Sequence, residues 1–203
     1  MFIEKLHKKL ALVLKEKGFD TPKDLQQKCI SKINSGADII AIAPEGTGKS
    51  TLINMCAIHK LQYAIEDVPR AIIIVSNKEK AIAMKEQFDT FSKETDLRSV
   101  CVFEEGKIDA QSIEVYEGTD VVIGTAKRVY ELYFNHSLNL NKLKLFIIDD
   151  AEQIIKNAWQ SPIDRIGESL PKCQHLIFTN DFNPKIEKLV SKFMVAPQVF
   201  ESN

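Results

Sequence analysis

The chain has 203 residues, of which 44% are hydrophobic, so it is long enough for one core and about one domain of the usual ~100–200 residues. Its 27 basic and 28 acidic residues give a net charge of −1, which excludes a bulk electrostatic attraction to nucleic acid or membrane. Binding to nucleic acid or to a membrane would therefore need a local patch of positive charge.

The N-terminal sequence shows a charged amphipathic pattern, and no apolar run approaches the ~20 residues that a membrane-spanning helix needs. Four cysteines lie far apart without a Cys-x-x-Cys pair, which favours buried thiols over a metal site or a disulfide framework. We therefore expect a cytoplasmic protein that does not associate with membranes and that keeps its thiols reduced.

Helices and strands are expected to alternate along most of the chain. Two helices come first; the second is predicted to open at Thr21, as its cap, and Pro22, as its first helical residue. Apolar, β-branched runs predict strands at residues 38–43, 71–75, 99–103, 121–124, 143–148, 175–178 and 198–200. Helical periodicity is present at residues 51–63, 78–91, 127–134, 151–156, 162–170 and 184–193. Unbroken apolar strands between helices predict a doubly wound α/β domain, with a parallel sheet covered on both faces.

The most specific motif is the segment from Ala43 to Ser50, which lies between the first predicted strand and a predicted helix. That order of strand, loop and helix is the context of a phosphate-binding P-loop. Lys49 is expected to reach the β- and γ-phosphates of a nucleotide, and the Ser50 hydroxyl to hold Mg²⁺. The alternative is a chance glycine-rich turn. The predicted nucleotide-binding residues of the loop are Glu45, Gly46, Thr47, Gly48, Lys49, Ser50 and Thr51.

A second phosphate-site element follows the predicted strand at 143–148. Asp149 lies at the carboxyl edge of that strand, where open α/β sheets bind their ligands, and is predicted to hold the Mg²⁺ shell. Asp150 is placed to orient or deprotonate an attacking water. The candidate catalytic residues are therefore Lys49, Asp149 and Asp150. The alternative is a strand that ends in a solvated acidic turn.

The sequence Asp149-Asp150-Ala151-Glu152 resembles the Asp-Glu-Ala-Asp signature of the DEAD-box RNA helicases. Residues 18–26 resemble that family's Q motif, which implies that Gln26 reads the adenine edge and that Phe19 stacks near the base, with Phe2 as an upstream aromatic residue. A glutamine amide pairs with adenine N6 and N7, which favours ATP over GTP. The alternatives are that Gln26 is a surface residue of its helix and that Phe19 is a core anchor.

Further matches imply contacts with the RNA backbone. The segment from Thr125 to Arg128 resembles the family's Thr-Pro-Gly-Arg motif, and residues 76–79 stand where the family has Pro-Thr-Arg-Glu. The implied RNA-binding residues are Thr125, Lys127, Arg128 and Lys78. A hydroxyl, helix-end N–H groups and a guanidinium make a plausible phosphate clamp. The alternative is that these segments are surface loops without a ligand.

The resemblance covers the first of the family's two RecA-like domains, so we expect residues 1–203 to form one RecA-like domain whose helical, Q-motif-like segment is residues 1–35. The family's second domain supplies an arginine finger worth about 10³–10⁵ in rate in related sites, so we expect weak ATP hydrolysis unless a partner or self-association completes the cleft.

Three departures from the family point the same way. Asp150 is one methylene shorter than the family's glutamate, so the catalytic base is expected to be weakened. Thr179-Asn180-Asp181 replaces the family's Ser-Ala-Thr motif, and Glu152 replaces the signature's last aspartate and would face that altered stretch, so coupling of ATP to RNA is expected to suffer. The sequence leaves three hypotheses: an ATP-dependent RNA helicase-like ATPase, a non-hydrolysing nucleotide- or RNA-binding regulatory module, and an unrelated P-loop kinase or GTPase.

Overall fold

The computed structural model describes residues 3–19, 21–65 and 67–202, and Phe2 lies outside them. Within these residues seven strands form one parallel sheet in the order β3-β4-β2-β5-β6-β1-β7. The strands are β1 Ile39–Ile42, β2 Ala71–Val75, β3 Ser99–Val102, β4 Val121–Thr125, β5 Leu145–Ile148, β6 Gln174–Thr179 and β7 Gln198–Glu201. Each lies within two residues of the bounds predicted from the apolar runs.

Helices connect the strands across both faces of the sheet. After a short 3-10 helix at Ile3–Lys5, they are α1 Lys8–Glu16, α2 Asp24–Asn34, α3 Lys49–Leu61, α4 Lys78–Ser92, α5 Ile108–Tyr116, α6 Ala126–Phe134, α7 Ala151–Lys156, α8 Gln160–Ser169 and α9 Pro184–Val190. The sequence did not predict α5. Its buried residues are Gln111 and Val115, whereas Ile113 and Tyr116 are exposed, so its apolar residues do not share one face.

The expected start of α2 at Thr21 and Pro22 is wrong. The helix begins at Asp24, and Lys23 occupies the position before it with extended backbone. The Gln26 side chain accepts a hydrogen bond from the Lys23 backbone N–H at 3.0 Å. An acceptor three residues into the helix therefore satisfies the N–H group that begins it, and a threonine cap is not needed.

Two apolar layers cover the sheet, and a single strand contributes side chains to both of them. In β2, Ile73 points into the layer formed with α1 to α4, whereas Ile72 and Ile74 point into the layer on the opposite face. Successive side chains of a strand alternate between faces, so a strand covered on both sides reads as an unbroken apolar run. The doubly wound α/β prediction is confirmed.

The parallel arrangement brings the carboxyl ends of the central strands to one edge of the sheet. Ile42 of β1 pairs with Thr179 of β6, and Ile74 of β2 pairs with Ile148 of β5. The loops that follow these four strands therefore begin side by side, which is where ligands bind in open α/β sheets.

The cysteines are free thiols, and Cys29 and Cys56 are buried as expected, while Cys101 and Cys173 are half-buried. Burial raises the pKa of Cys29 to about 12, which makes that thiol unreactive. The reducing compartment stays a prediction. None of the helices in the described part of the chain is both long enough and apolar enough to cross a membrane.

Candidate functional site

The P-loop connects β1 to α3 through two glycines with left-handed backbone. Gly46 and Gly48 have φ of +81° and +90°, values that residues with a Cβ rarely adopt. A Cβ at Gly48 would also lie 2.7 Å from Gln26 Nε2. The Thr47 hydroxyl closes the turn by donating to the Pro44 carbonyl at 2.8 Å. Helix α3 begins directly afterwards at Lys49, so its free N–H groups face the loop, as a phosphate site requires.

Lys49 is buried beneath the loop, with 7% of the residue exposed. Its ammonium group donates to the Ala43 carbonyl at 2.6 Å, to the Pro44 carbonyl at 3.2 Å and to the Asn180 side chain. A phosphate that binds Lys49 therefore competes with these acceptors. The sequence did not predict the contact with Asn180; the signal was its position directly after β6, at the same edge of the sheet.

A cavity of about 470 Å³ opens beside the P-loop, a size typical of small-ligand sites. Its lining comes from the loop and the start of α3, from Asp149 and Asp150, and from Lys80, Ala83, Met84 and Gln87 of α4. The structure brings together there the predicted residues Glu45, Gly46, Gly48, Lys49, Ser50, Thr51, Asp149 and Asp150. The chance-turn reading of the P-loop does not account for this convergence.

Gln26 and Phe19 lie outside the lining of this cavity. Gln26 is buried against the P-loop, where its Nε2 donates to the Gly48 carbonyl at 3.3 Å, so it is not a surface residue. The ring of Phe19 packs edge-on against Phe91 with centroids 5.1 Å apart and is 39% exposed. Adenine recognition by these two residues stays a prediction, because the Gln26 amide is bonded to the protein on both sides.

Asp149 follows β5 and is buried, with 3% exposed. Burial, with the adjacent charge of Asp150, raises its pKa to about 7 against the opposing effect of Lys49 and Lys80. Ser50 lies in the same cavity. A carboxylate and a hydroxyl are the hard oxygen donors that Mg²⁺ accepts beside nucleotide phosphates, so the residues present fit the predicted ion.

Asp150 is buried rather than solvated, so the reading of this segment as a solvated acidic turn is wrong. It has φ of +53° and ψ of +49°, a left-handed conformation that is uncommon for a residue other than glycine, and it precedes α7. Its Oδ2 accepts from the Ser76 hydroxyl at 2.9 Å and from the Lys80 ammonium. Contact of Asp150 with an attacking water stays a prediction. The water would have to share the carboxylate with Lys80 and Ser76.

The link between Glu152 and the loop after β6 is present. Glu152 Oε2 accepts from the Thr179 hydroxyl at 2.7 Å and from the Asn180 backbone N–H at 3.2 Å. Glu152 thus contacts the altered Thr-Asn-Asp stretch that it was expected to face, and impaired coupling of ATP to RNA stays a prediction. Since Asn180 also holds Lys49, one chain of hydrogen bonds connects α7 to the P-loop.

A second cavity of about 350 Å³ lies beyond Asp150 along the same edge of the sheet and contains Thr125, Lys127 and Lys78. Glu104 and Glu105 line it as well. We call this cavity the β4 groove. The Thr125 hydroxyl donates to Glu104 Oε2 at 2.7 Å, and the Lys78 ammonium lies 4.0 Å from Glu105 Oε1. The two carboxylates therefore already contact the hydroxyl and the ammonium group that an RNA phosphate would use.

Arg128, which was expected to grip RNA, is bonded within the protein in this structure, so its contact with RNA stays a prediction. The residue is buried, with 5% exposed, and its guanidinium donates to the Glu131 carboxylate at 2.8 Å, the Gly106 carbonyl at 2.9 Å, Gln111 Oε1 at 2.6 Å and the Glu104 carbonyl at 2.9 Å. Its position on α6 turns the side chain under the loop after β3. Arg128 holds that loop in place and is not among the residues that line the β4 groove.

Comparison with protein families agrees with the motifs. The DEAD/DEAH box helicase family model matches residues 23–189, which is most of the chain. The chain belongs to the DEAD/DEAH box helicase family. The kinase and GTPase alternative is thereby excluded.

Individual relatives are distant in sequence. The chain is 26% identical over 194 residues to the pre-mRNA-processing ATP-dependent RNA helicase PRP5 of Meyerozyma guilliermondii, covering 91% of this chain and 22% of that protein. It is 27% identical over 183 residues to the ATP-dependent RNA helicase eIF4A of Yarrowia lipolytica, covering 89% of this chain and 46% of that protein. The chain thus spans less than half the length of these curated relatives.

Among solved structures, a DEAD box protein from the hyperthermophile Methanococcus jannaschii superposes with a TM-score of 0.90 at 23% identity, over 98% of this chain and 55% of that one. This likeness shows that the fold is that of a DEAD-box RecA-like domain. At the level of the family, DEAD-box helicases bind ATP and RNA and use ATP, generally with Mg²⁺.

Proposed function

We propose that this DEAD-box domain binds MgATP in the cavity beside the P-loop and an RNA backbone in the β4 groove, and that it hydrolyses ATP weakly on its own. The observation that carries the proposal is the convergence of Lys49, Ser50 and Asp149 on one cavity at the start of α3. A lysine, a helix N-terminus and a carboxylate at one site form a triphosphate and metal site of the P-loop type.

The chain's own residues would act on ATP by exchanging existing hydrogen bonds. Lys49 leaves the Ala43 and Pro44 carbonyls for phosphate oxygens, while the N–H groups at the start of α3 contact the same phosphates. Gln26 leaves the Gly48 carbonyl to pair with the adenine edge. Ser50 and Asp149 would hold Mg²⁺, which would supply positive charge to the phosphates. ATP binding therefore competes with these hydrogen bonds and with the one from Lys49 to Asn180.

RNA binding is supported by the position of Thr125, Lys127 and Lys78 in the β4 groove. A hydroxyl and two ammonium groups contact sugar and phosphate, which carry no sequence information, so we propose binding without sequence specificity. Glu104 and Glu105 oppose this binding by charge. The affinity should therefore be low and sensitive to salt.

Slow hydrolysis follows from the surroundings of the terminal phosphate. Among the described residues no arginine lines the nucleotide cavity, and Asp150 is engaged with Ser76 and Lys80. An arginine from another domain, a partner protein or a second copy would raise the rate. We propose that such a partner completes the cleft.

We also propose that the protein works in the cytoplasm, which its free thiols support.

The second candidate is a regulatory module that binds nucleotide or RNA without turnover. The observation in its favour is the hold of Ser76 and Lys80 on Asp150, the residue expected to orient the attacking water. The two candidates share one pocket and differ only in turnover.

Phosphate release from ATP, with and without single-stranded RNA, separates them. The first candidate predicts slow release that RNA accelerates and that Lys49→Ala abolishes. The control is Lys60→Ala, since Lys60 is an exposed residue near the other end of α3. No release above the Lys49→Ala background under either condition, in protein that binds ATP, would favour the regulatory module.

A further inference from the structure

Lys80 is a charged residue of the nucleotide cavity that none of the sequence motifs singled out. It lies in the first turn of α4, and its backbone N–H is capped by the Asn77 side chain at 2.9 Å. The cap fixes the start of the helix and so directs the Lys80 side chain toward the cavity, which it lines opposite the P-loop.

The Lys80 ammonium forms an ion pair with Asp150, whose side chain is 2% exposed, while the lysine side chain is 40% exposed. Burial lowers the pKa of Lys80, but its hydrogen bond to Asp150 and the charges of Asp150, Asp149 and Glu45 outweigh burial and raise it. Lys80 is therefore a permanent positive charge at neutral pH, and its exposed part faces the cavity.

The lysines of the cavity have different partners. Lys23 donates to the Gly46 carbonyl at 2.5 Å, so it lies against the P-loop. Lys80 pairs with Asp150, next to Asp149, and is near enough to Glu45 of the loop for the two charges to interact. Since the attacking water reaches the terminal phosphate and Asp150 is proposed to orient that water, Lys80 would lie at the terminal-phosphate end of a bound triphosphate.

We propose that Lys80 binds the terminal phosphate of a nucleoside triphosphate and makes the cavity prefer triphosphates over diphosphates. This inference rests on the proposed function of the pocket. Three carboxylates of the lining, from Glu45, Asp149 and Asp150, face three lysines, Lys23, Lys49 and Lys80. Removing the charge of Lys80 leaves an excess of negative charge at the end where a triphosphate has one more phosphate than a diphosphate.

The test compares ATP and ADP binding, each with Mg²⁺, in the full chain. The variants are Lys80→Met, Lys80→Gln and Lys80→Arg, and the matched control is Lys85→Met, since Lys85 lies on the same helix in an exposed pair with Asp89. We expect both Lys80→Met and Lys80→Gln to weaken ATP binding about tenfold while changing ADP binding less than about twofold. Lys80→Arg and Lys85→Met keep the preference of the parent protein.

Equal weakening of ATP and ADP, or no change in either, would overturn the inference, because Lys80 would then only hold Asp150. Lys80→Gln keeps a hydrogen-bond donor without the charge, so it tests the inference even where Lys80→Met unfolds. A parent protein that is folded but binds neither nucleotide would refute the proposed function, and this inference with it. ATP binding that Lys49→Ala abolishes but that no substitution of Lys80 changes would refute this inference alone.

Discussion

The ammonium group of Lys49 donates a hydrogen bond to the Asn180 side chain, so the P-loop and the end of β6 are joined through the lysine that we propose as the phosphate ligand. Asn180 also donates its backbone N–H to Glu152 of α7. The cavity is therefore connected to the segment that stands where the family couples ATP to RNA, and we expect a phosphate at Lys49 to affect both.

Removal of the Asn180 side chain should strengthen ATP binding. In Asn180→Ala, Lys49 loses one of the acceptors that compete with phosphate, so we expect the Kd for ATP to fall roughly threefold to tenfold. Titration calorimetry measures it, with Asn135→Ala, a change at an exposed residue after α6, as the control. Weaker ATP binding in Asn180→Ala would mean that Asn180 positions Lys49 for phosphate instead.

Removal of a carboxylate from the β4 groove should strengthen RNA binding. Glu104→Gln keeps the shape of the side chain that Thr125 contacts but removes its charge, so we expect RNA affinity to rise about threefold to tenfold at low salt. Fluorescence anisotropy with a labelled single strand measures it. Glu114→Gln, an exposed position on α5, should leave the affinity unchanged. An unchanged affinity in Glu104→Gln would place the RNA elsewhere.

Substitution of Arg128 should lower the stability of the fold, whereas substitution of Lys127 should change RNA binding. Arg128→Ala leaves buried acceptors without donors, and we expect a loss of about 3 kcal/mol in the free energy of unfolding. Lys127→Ala should leave that free energy unchanged and reduce the slope of log affinity against log salt by about 1. Urea denaturation and salt titrations of RNA binding measure the two effects. An Arg128→Ala protein as stable as the parent would refute the structural role.

Asp149 should make stability depend on pH when Mg²⁺ is chelated. The pKa of Asp149 is raised by burial to about 7, whereas an unfolded aspartate ionises near pH ~4. Between these values the folded state binds more protons than the unfolded state, so the contribution of Asp149 to the free energy of unfolding falls as pH rises from about 4 to about 7.

Asp149→Asn removes this term, because the amide is uncharged at every pH. We expect the variant to be more stable than the parent at pH ~8, by an order of 1–3 kcal/mol, and about as stable at pH ~4. Urea denaturation in a chelator at both pH values measures the difference. The same stability difference at both pH values would show that Asp149 does not titrate in this range.

Much of the fold could be predicted from the sequence because it depends on local patterns. Strands such as β2 consist of β-branched residues buried on both sides, and the P-loop carries its own backbone requirement at Gly46 and Gly48. Helix α5 was missed because its apolar residues do not share a face. Its hydrogen bonds between Gln111 and Arg128 and between Ser112 and Ser137 join it to other segments of the chain, and a local pattern does not record them.

The parts of the site that escaped prediction depend on pairs of residues from different loops. Lys80 follows β2 and Asp150 follows β5, and only the pairing of those strands brings the two charges together. Arg128 fits its motif by residue type, yet the direction of its side chain depends on how the loop after β3 packs on α6. A linear motif records neither relationship.

The most direct test of the nucleotide site is the equilibrium binding of ATP and GTP, each with Mg²⁺, to the parent chain and to Lys49→Ala, with Lys60→Ala as the control. We expect the parent and Lys60→Ala to bind ATP in preference to GTP, and Lys49→Ala to lose this binding while remaining folded. Failure of the folded parent to bind ATP, or equal binding by Lys49→Ala, would contradict the assignment of the cavity as a nucleotide site.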